Sequence, residues 1–133
     1  MTGAALPPYA RAMGMEIDHL DDGTAVIAMD YSIRAQGRPG HVHGGAIGGM
    51  LEIAAYMALH KDLARDGSDM RIKPVNITIE YLRGAVPQRT FALGQVVRRG
   101  RRVANVRVEA WQGDREKLVA SGWINFLLAP QKT

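Results

Sequence analysis

The stretch from Gly37 to Arg65, GRPGHVHGGAIGGMLEIAAYMALHKDLAR, decides the fold because it contains one long apolar helix. From Ala46 to Leu59 every residue is apolar or glycine except Glu52. A helix without a polar face has to be enclosed by other parts of the fold. The sequence therefore predicts a central helix that the rest of the chain wraps. Burying the single carboxylate of this helix would cost free energy, so its presence indicates a functional role.

The helix carries glycines on the same face as its carboxylate. Gly45, Gly48 and Gly49 precede Glu52 by seven, four and three residues, so all four residues share one face. A ligand or a second backbone can approach Glu52 along this low face. Gly44 and Gly45 also place unpaired backbone N–H groups at the helix start. The pattern is typical of a binding site.

The composition is that of one folded domain spanning residues 1–133. Hydrophobic residues make up 47% and charged residues 23%, which excludes a disordered chain. Because the sequence has no cysteine, disulfide frameworks, thiolate metal sites and cysteine nucleophiles are excluded. The net charge of +4 favours an anionic partner, which leaves a phosphate-bearing small molecule, nucleic acid or a membrane surface open.

Membrane and export segments are not predicted. The longest apolar run, Ala46–Leu59, is too short to span a bilayer, and the N-terminal residues lack the apolar core of a signal peptide. We therefore expect a cytoplasmic protein.

The segments on both sides of the helix alternate with the period of β-strands. In the first dozen residues, Leu6-Pro7-Pro8-Tyr9 is predicted to lead into one or two helical turns. Two strands follow around the turn Asp21-Asp22-Gly23. Gly67 is predicted to end the long helix. Four alternating segments follow, near residues 75–81, 91–97, 104–110 and 118–128. Their short connections imply antiparallel pairing. The predicted fold class is α+β, with an antiparallel sheet wrapped around one long central helix.

Four motifs carry a resemblance to a known family. The most specific is His43-Gly44-Gly45 followed by Glu52, an acidic residue nine positions after the histidine. The others are Tyr81-Leu82-Arg83-Gly84-Ala85, Gly100-Arg101-Arg102 and Leu118-Val119-Ala120. On these motifs the chain resembles a hotdog-fold acyl-CoA thioesterase of the phenylacetyl-CoA thioesterase-like group, over almost its whole length.

The resemblance implies a reaction and an assembly. An acyl-CoA thioester would be hydrolysed to the free acid and coenzyme A, without a metal or another cofactor. The Gly44 N–H would polarise the thioester carbonyl, Glu52 would act as nucleophile or general base, and Gly45 would line the substrate site. The family builds such sites between the two copies of a homodimer, one group from each copy, and often joins dimers into a homotetramer.

The sequence departs from that family at three positions. Many relatives have Asp in place of Glu52, although one branch that acts on aromatic acyl-CoA esters uses Glu. Relatives also place an Asn or Gln six or seven residues before the HGG motif. Here those positions are Gly37 and Gln36, and Gln36 takes the role if the loop is one residue longer. A Ser or Thr sometimes found near a strand end is replaced by Arg83, which we expect to contact substrate.

The chemistry of Gly44 and Glu52 also supports hydrolysis without the family. A helix N-terminus offers N–H donors and a positive dipole end to a developing oxyanion. A carboxylate in apolar surroundings is a stronger base than one in water. The alternative is that Glu52 pairs with an arginine, but the residues from Ala46 to Leu59 contain no such partner.

The remaining charged residues have alternative interpretations. His41 and His43 are too few to form a metal site, and His43 is predicted either to shape its loop or to act in acid–base chemistry. The cluster Arg98, Arg99, Arg101 and Arg102 is predicted at a hairpin tip, either as a solvated turn or as a contact to the phosphates of coenzyme A. No aromatic residues lie between these arginines, which argues against nucleic-acid binding.

Two other functions remain open at this point. A hotdog acyl-CoA hydratase or dehydratase would need a catalytic histidine paired with an acid, and only His43 can serve. A non-catalytic acyl-CoA-binding module can use the same fold and would not need Glu52.

Overall fold

Strands and helices follow one another in the order that the sequence predicts. The structure, a computed structural model, describes residues 5–131. Its helices are α1 (Pro8–Ala12), the 3₁₀ turn Ile33–Ala35 and α2 (Gly44–Arg65). Its strands are β1 (Met15–Asp21), β2 (Thr24–Met29), β3 (Met70–Tyr81), β4 (Thr90–Arg99), β5 (Val103–Trp111) and β6 (Leu118–Pro130). The predicted antiparallel sheet with one long helix is confirmed.

The six strands form one antiparallel sheet in the order β1-β2-β4-β5-β6-β3. β3 follows α2 in sequence, but it lies at the far edge of the sheet and pairs with β6. It begins five residues before the predicted strand and includes Pro74, a residue that an edge strand tolerates. The other side of β3 has no strand partner within residues 5–131.

The core lies between α2 and the inner face of the sheet. The helix buries Met50, Leu51 and Leu59, and the strands bury Val106, Ile124 and Phe126 in the same cluster. A side chain at Gly94 would lie 2.8 Å from the Ala54 carbonyl oxygen, so the absence of one lets β4 approach the helix backbone closely. This contact fixes the helix against the middle of the sheet.

Both ends of α2 lie where the sequence predicts them. The helix begins at Gly44 with His43 as its N-cap, and it ends at Arg65. Gly67 has a φ of +74°, the left-handed conformation that favours glycine after a helix. No helix among residues 5–131 is long and apolar enough to cross a membrane.

The glycine face of α2 is only partly covered by the rest of the described chain. Glu52 and Gly45 are exposed, and Gly48 and Gly49 are half-buried. The prediction that the chain encloses this helix on every side is therefore wrong for this face. The sheet packs mainly on the opposite side, which carries the buried methionine and leucine side chains. On the glycine face, Ile79 and Tyr81 of β3 approach Gly48 and leave Glu52 exposed.

Candidate active site

The first turn of α2 uses its backbone donors unevenly. A helix leaves the N–H groups of its N-cap and its first three residues without helical acceptors. Here the His43 N–H donates to the Ala35 carbonyl oxygen at 2.6 Å. The Gly45 N–H donates to His43 Nδ1 at 2.8 Å, and the Ala46 N–H donates to the His43 carbonyl oxygen at 3.0 Å. Three of the four donors are therefore satisfied.

The fourth donor, the Gly44 N–H, has no acceptor among the residues that the structure describes. Buried or partly buried N–H groups are almost always paired in native proteins, and Gly44 is half-buried. An unpaired donor at the positive end of a helix that is about 33 Å long is a ready site for a negative or polarised oxygen.

His43 acts as a cap for this turn. Because a backbone N–H can only donate, Nδ1 of His43 must accept, and in the neutral ring the proton is then on Nε2. A side chain at Gly45 would lie 2.9 Å from His43 Nδ1, so this capping geometry requires glycine. The loop-shaping role predicted for His43 is thus the one that this contact supports.

Two clefts adjoin the helix start. One, of about 530 Å³, is lined by Arg38, His41, Gly44, Tyr81 and Arg83 among others. The other, of about 370 Å³, is lined by Tyr9, Met13, Arg34, Gln36, His43, Gly45 and Ala46. The structure therefore places the predicted residues Gln36, His43, Gly44, Gly45 and Arg83 around one helix end. Gln36 reaches it through a β-bridge to Val42.

Glu52 lies in a separate cavity, two turns along the helix. This cavity of about 460 Å³ has an apolar lining apart from the Glu52 carboxylate and the Tyr9 hydroxyl, and it comprises Pro7, Tyr9, Gly48, Gly49, Glu52, Ile53, Ile77 and Ile79. No described basic side chain lies within ion-pair distance of Glu52. The alternative role as a structural ion-pair partner therefore finds no support within one chain.

One chain does not bring Gly44 and Glu52 together. Eight residues separate them, which is about 12 Å along the helix axis at 1.5 Å per residue. The carbonyl carbon and the oxygen of one thioester are bonded neighbours, so the groups that act on them must lie much closer together. Gly44 and Glu52 of the same copy therefore cannot both act on one thioester.

The arginine cluster lies at the opposite end of α2. Arg99 Nε donates to Asp62 at 2.8 Å, and its guanidinium also pairs with Asp66. A hydrogen bond from Ser68, followed by the pair with Arg99, lowers the pKa of Asp66 to about 2. Arg99 therefore fastens the β4–β5 hairpin to the helix end. The predicted contact of Arg99 with substrate stays a prediction, and it would compete with these two ion pairs.

Arg98, Arg101 and Arg102 remain at the hairpin. They line an open cavity of about 640 Å³ with Gly100, Val103 and Asn105. No carboxylate among residues 5–131 forms an ion pair with any of the three. Three unpaired guanidinium groups around one cavity suit an anion with several oxygens.

Metal ligation finds no support in the described part of the chain. Among residues 5–131 no group of three or more histidine or acidic side chains is placed to hold a metal ion. His41 is instead engaged in its loop, with Nδ1 at 3.2 Å from the Pro39 carbonyl oxygen and Nε2 at 3.3 Å from Arg38.

Comparison with known proteins decides the family. The sequence profile of the thioesterase superfamily matches residues 39–119, which include the HGG motif, Glu52 and all of α2 and β3. The chain belongs to the thioesterase superfamily.

Similar proteins and solved structures match the chain over nearly its whole length. The medium/long-chain acyl-CoA thioesterase YigI of Salmonella typhimurium is 26% identical, over 91% of this chain and 85% of the relative. A crystal structure of a Chromobacterium violaceum protein is 34% identical, with a TM-score of 0.70 over 94% of this chain and 85% of that one. A mutant of the phenylacetic acid degradation protein PaaI from Thermus thermophilus is 24% identical, with a TM-score of 0.72 over 91% of this chain and 98% of that one. At this identity the comparison shows only that the two proteins share a fold.

Two tyrosines of this thioesterase-superfamily chain were not predicted as site residues. Tyr9 rests on Gly49, where a side chain would lie 2.8 Å from its ring, and Tyr81 donates a hydrogen bond to the Gly44 carbonyl oxygen at 2.9 Å. The sequence signal for Tyr81 was its place in a motif, and the signal for Tyr9 was its place in the predicted N-terminal helix. Neither signal indicates a contact with α2.

The capping role of His43 predicts that two substitutions at this position differ in stability. His43→Ala removes the acceptor for the Gly45 N–H and is expected to lower the free energy of unfolding by about 1 kcal/mol. His43→Asn should recover most of that loss, because Asn Oδ1 occupies nearly the position of His Nδ1 and asparagine is a strong N-cap. Urea unfolding of both variants measures the difference. Equal destabilisation by the two substitutions would contradict the capping role.

Proposed function

We propose that this protein hydrolyses acyl-CoA thioesters to the free acid and coenzyme A. In this proposal the Gly44 N–H polarises the thioester carbonyl, and Glu52 acts as general base or nucleophile. The observation that carries the proposal is the unpaired Gly44 N–H at the start of a helix that also presents an unpaired carboxylate. The relationship to YigI, which is named an acyl-CoA thioesterase, supports the same substrate class.

The general-base route needs only these two groups. Glu52 takes a proton from water as the water oxygen bonds to the carbonyl carbon, and the Gly44 N–H stabilises the oxyanion that forms. The intermediate then collapses with cleavage of the C–S bond. The protonated Glu52 returns its proton to the leaving thiolate, so that acid and coenzyme A are the products.

The nucleophilic route uses the same groups in another order. A Glu52 oxygen bonds to the carbonyl carbon, the C–S bond breaks, and the thiolate takes a proton from solvent. Water then hydrolyses the resulting mixed anhydride and regenerates the Glu52 carboxylate. In both routes the oxyanion forms at the same carbonyl oxygen, so the role of Gly44 is unchanged.

The site in this proposal lies between two copies of the chain. When two α2 helices pack antiparallel about a two-fold axis at Gly48, Gly44 of each helix comes level with Glu52 of the other. The roughly 12 Å separation along one helix is then removed, and two equivalent sites form. This arrangement would also cover the part of the glycine face that the single chain leaves exposed, including Gly45 and Glu52.

The free edge of β3 supports such a dimer. β3 is twelve residues long and pairs on one side only within the described chain. Val75, Ile77 and Tyr81 on this strand are exposed. Long edge strands with exposed apolar side chains are templates for pairing with another chain. We expect a dimer or larger assembly, and the assembly of dimers into a tetramer, like the cytoplasmic location, stays a prediction.

The cavity beside Glu52 suits an apolar acyl group. Ile53, Ile77 and Ile79 contribute aliphatic surface, and Tyr9 contributes an aromatic wall. Apolar lining with one polar group at the reacting end is the usual form of a small-molecule site. The carboxylate would then stand at the thioester end of the acyl group.

The phosphates of coenzyme A are assigned to the arginine hairpin. Arg99 ties this hairpin to Asp62 and Asp66, which lie about 15 to 21 Å from Glu52 along the helix axis. The extended pantetheine arm of coenzyme A bridges a separation of this order. Arg98, Arg101 and Arg102 then face the pyrophosphate and ribose phosphate as charge-assisted donors.

The geometry gives less support to the two other functions. A hydratase or dehydratase would use His43 with an acid, but Nδ1 of His43 is occupied by the Gly45 N–H, and no described carboxylate pairs with this ring. A non-catalytic binding module would leave an unpaired carboxylate without a role beside its apolar cavity. The experiments below separate it from a thioesterase.

Two substitutions at the reacting groups test the proposal. Glu52→Gln keeps the shape of the side chain and removes the base, so kcat should fall about a hundredfold to ten-thousandfold. Gly44→Pro removes the N–H at a position where the extended His43 backbone and the first helical turn accept proline, so kcat should fall roughly a hundredfold or more. Release of free thiol from short, long and aromatic acyl-CoA substrates measures both.

Gly44→Ala is the matched control, because it adds the same Cβ beside the Tyr81 ring, 3.3 Å away, and keeps the N–H. It should retain far more activity than Gly44→Pro. Equal activity of the two Gly44 variants would remove Gly44 from the mechanism. Near-normal turnover by Glu52→Gln would contradict the catalytic role of Glu52 and would favour the binding module.

The arginine hairpin makes a separate prediction for substrate binding. Replacing Arg101 and Arg102 together by alanine should raise KM roughly tenfold and weaken its dependence on salt, with kcat little changed, because the phosphates are remote from the reacting bond. Lys117→Ala at the exposed β5–β6 turn controls for the loss of positive charge. An unchanged KM in the arginine variant would leave the hairpin as a solvated turn.

A further inference from the structure

The Gly44 N–H, the proposed catalytic donor, lies in a flexible Gly44-Gly45 segment. Glycine lacks the Cβ that restricts the backbone, and two in succession at a helix terminus leave the first turn free to fray. Stabilisation of an oxyanion depends on donors that are already oriented before the reaction. The Gly44 N–H therefore needs an external constraint.

The peptide group between Gly44 and Gly45 is held from both sides. Its carbonyl oxygen, that of Gly44, accepts a hydrogen bond from the Tyr81 hydroxyl at 2.9 Å. Its N–H, that of Gly45, donates to His43 Nδ1 at 2.8 Å. Two side chains, one from the helix cap and one from the sheet edge, thus fix the orientation of this single peptide plane.

The preceding peptide group, which carries the free N–H, is held on its other side. The His43 carbonyl oxygen accepts from the Ala46 N–H at 3.0 Å and from the Ile47 N–H at 3.2 Å. Gly44 therefore lies between two fixed peptide planes, and its N–H direction is determined. The Gly44 carbonyl oxygen also accepts the helical hydrogen bond from the Gly48 N–H. Among the described bonds to these two peptide groups, only the Tyr81 bond comes from the sheet.

Tyr81 can reach Gly44 because of where β3 ends and because of the glycine. Tyr81 is the last residue of β3, and its ring lies 3.3 Å from the position of a Cβ on Gly44. The hydroxyl is also 3.6 Å from the position of a Cβ on Gly48. The ring thus lies against the glycine face of α2, and its hydroxyl points to the first turn.

We infer that Tyr81 is a positioning residue, which holds the Gly44 peptide so that its N–H is oriented toward the substrate carbonyl. This inference rests on the proposed function. Tyr81 does not contact the reacting atoms in this role. It acts on the rate of the chemical step through Gly44, and substrate affinity depends on it little.

The test is Tyr81→Phe, which removes the hydroxyl and keeps the ring. We expect kcat to fall roughly tenfold, since small misplacements of a catalytic group cost up to about a hundredfold, while KM changes less than about twofold. Tyr31→Phe is the control, because the Tyr31 hydroxyl forms no hydrogen bond within residues 5–131. It should have the kcat of the wild type.

A double-mutant comparison separates positioning from a general structural effect. Tyr81→Phe should slow Gly44→Ala about as much as it slows the wild type, and it should not slow Gly44→Pro further, because no N–H is left to orient. Any other pattern overturns the inference, including an unchanged kcat in Tyr81→Phe or equal losses in both Gly44 backgrounds.

The outcome is also distinct from a failure of the proposed function. If Gly44→Pro is as active as Gly44→Ala, the donor itself is wrongly assigned, and the inference fails together with it. If Gly44→Pro loses activity and Tyr81→Phe does not, the inference alone fails, and the assignment of Gly44 stands.

Discussion

The structure depends on how the first turn of α2 satisfies its backbone N–H groups. Every helix start leaves such groups without helical acceptors. Here the N-cap histidine and the loop before it satisfy three of them, and only the Gly44 N–H has no acceptor in the described chain. The glycines that allow this arrangement also exclude side chains from the adjoining surface. The same sequence feature therefore produces the free N–H and the open surface beside it, and in the proposed function the substrate would approach Gly44 along this surface.

The length of α2 imposes a second constraint. Along the axis of α2, Glu52 lies between Gly44 at one helix end and the arginine hairpin at the other. A single copy therefore separates Gly44 from Glu52, the two groups that the proposed reaction combines. In the proposed dimer, two antiparallel copies of α2 would bring Gly44 of one next to Glu52 of the other. The glycine face is only partly covered, and the outer edge of β3 has no strand partner within residues 5–131. A second copy of the chain would complete both. The two features that look incomplete in one chain thus have one common explanation.

The sequence predicts the parts of this molecule that depend on local pattern. Helix α2, its start at Gly44, its end near Gly67 and the alternating strands follow from spacing within a few residues. The order of the strands could not be predicted, because pairing between distant segments depends on the whole sheet. For the same reason the sequence does not show that Arg99 binds Asp62 and Asp66, which lie 37 and 33 residues away.

The sequence also could not predict how much of α2 its own chain covers. An apolar helix with one carboxylate predicts burial, but it does not show whether the same chain or a second copy provides it. The hydrogen bond from Tyr81 to Gly44 depends on where β3 ends relative to α2, and a shift of one residue would turn the tyrosine to the other face of the sheet. Such contacts are set by strand register and not by local composition.

The central claim is that each site combines Gly44 of one copy with Glu52 of the other. It is tested most directly by co-expressing Glu52→Gln and Gly44→Pro chains with different affinity tags and purifying the doubly tagged dimer. In that dimer one site has both substitutions and the other has neither, so the account predicts about half of the wild-type turnover per dimer. Turnover no higher than that of the two inactive parents would contradict the account, because it would mean that each site takes both groups from the same chain.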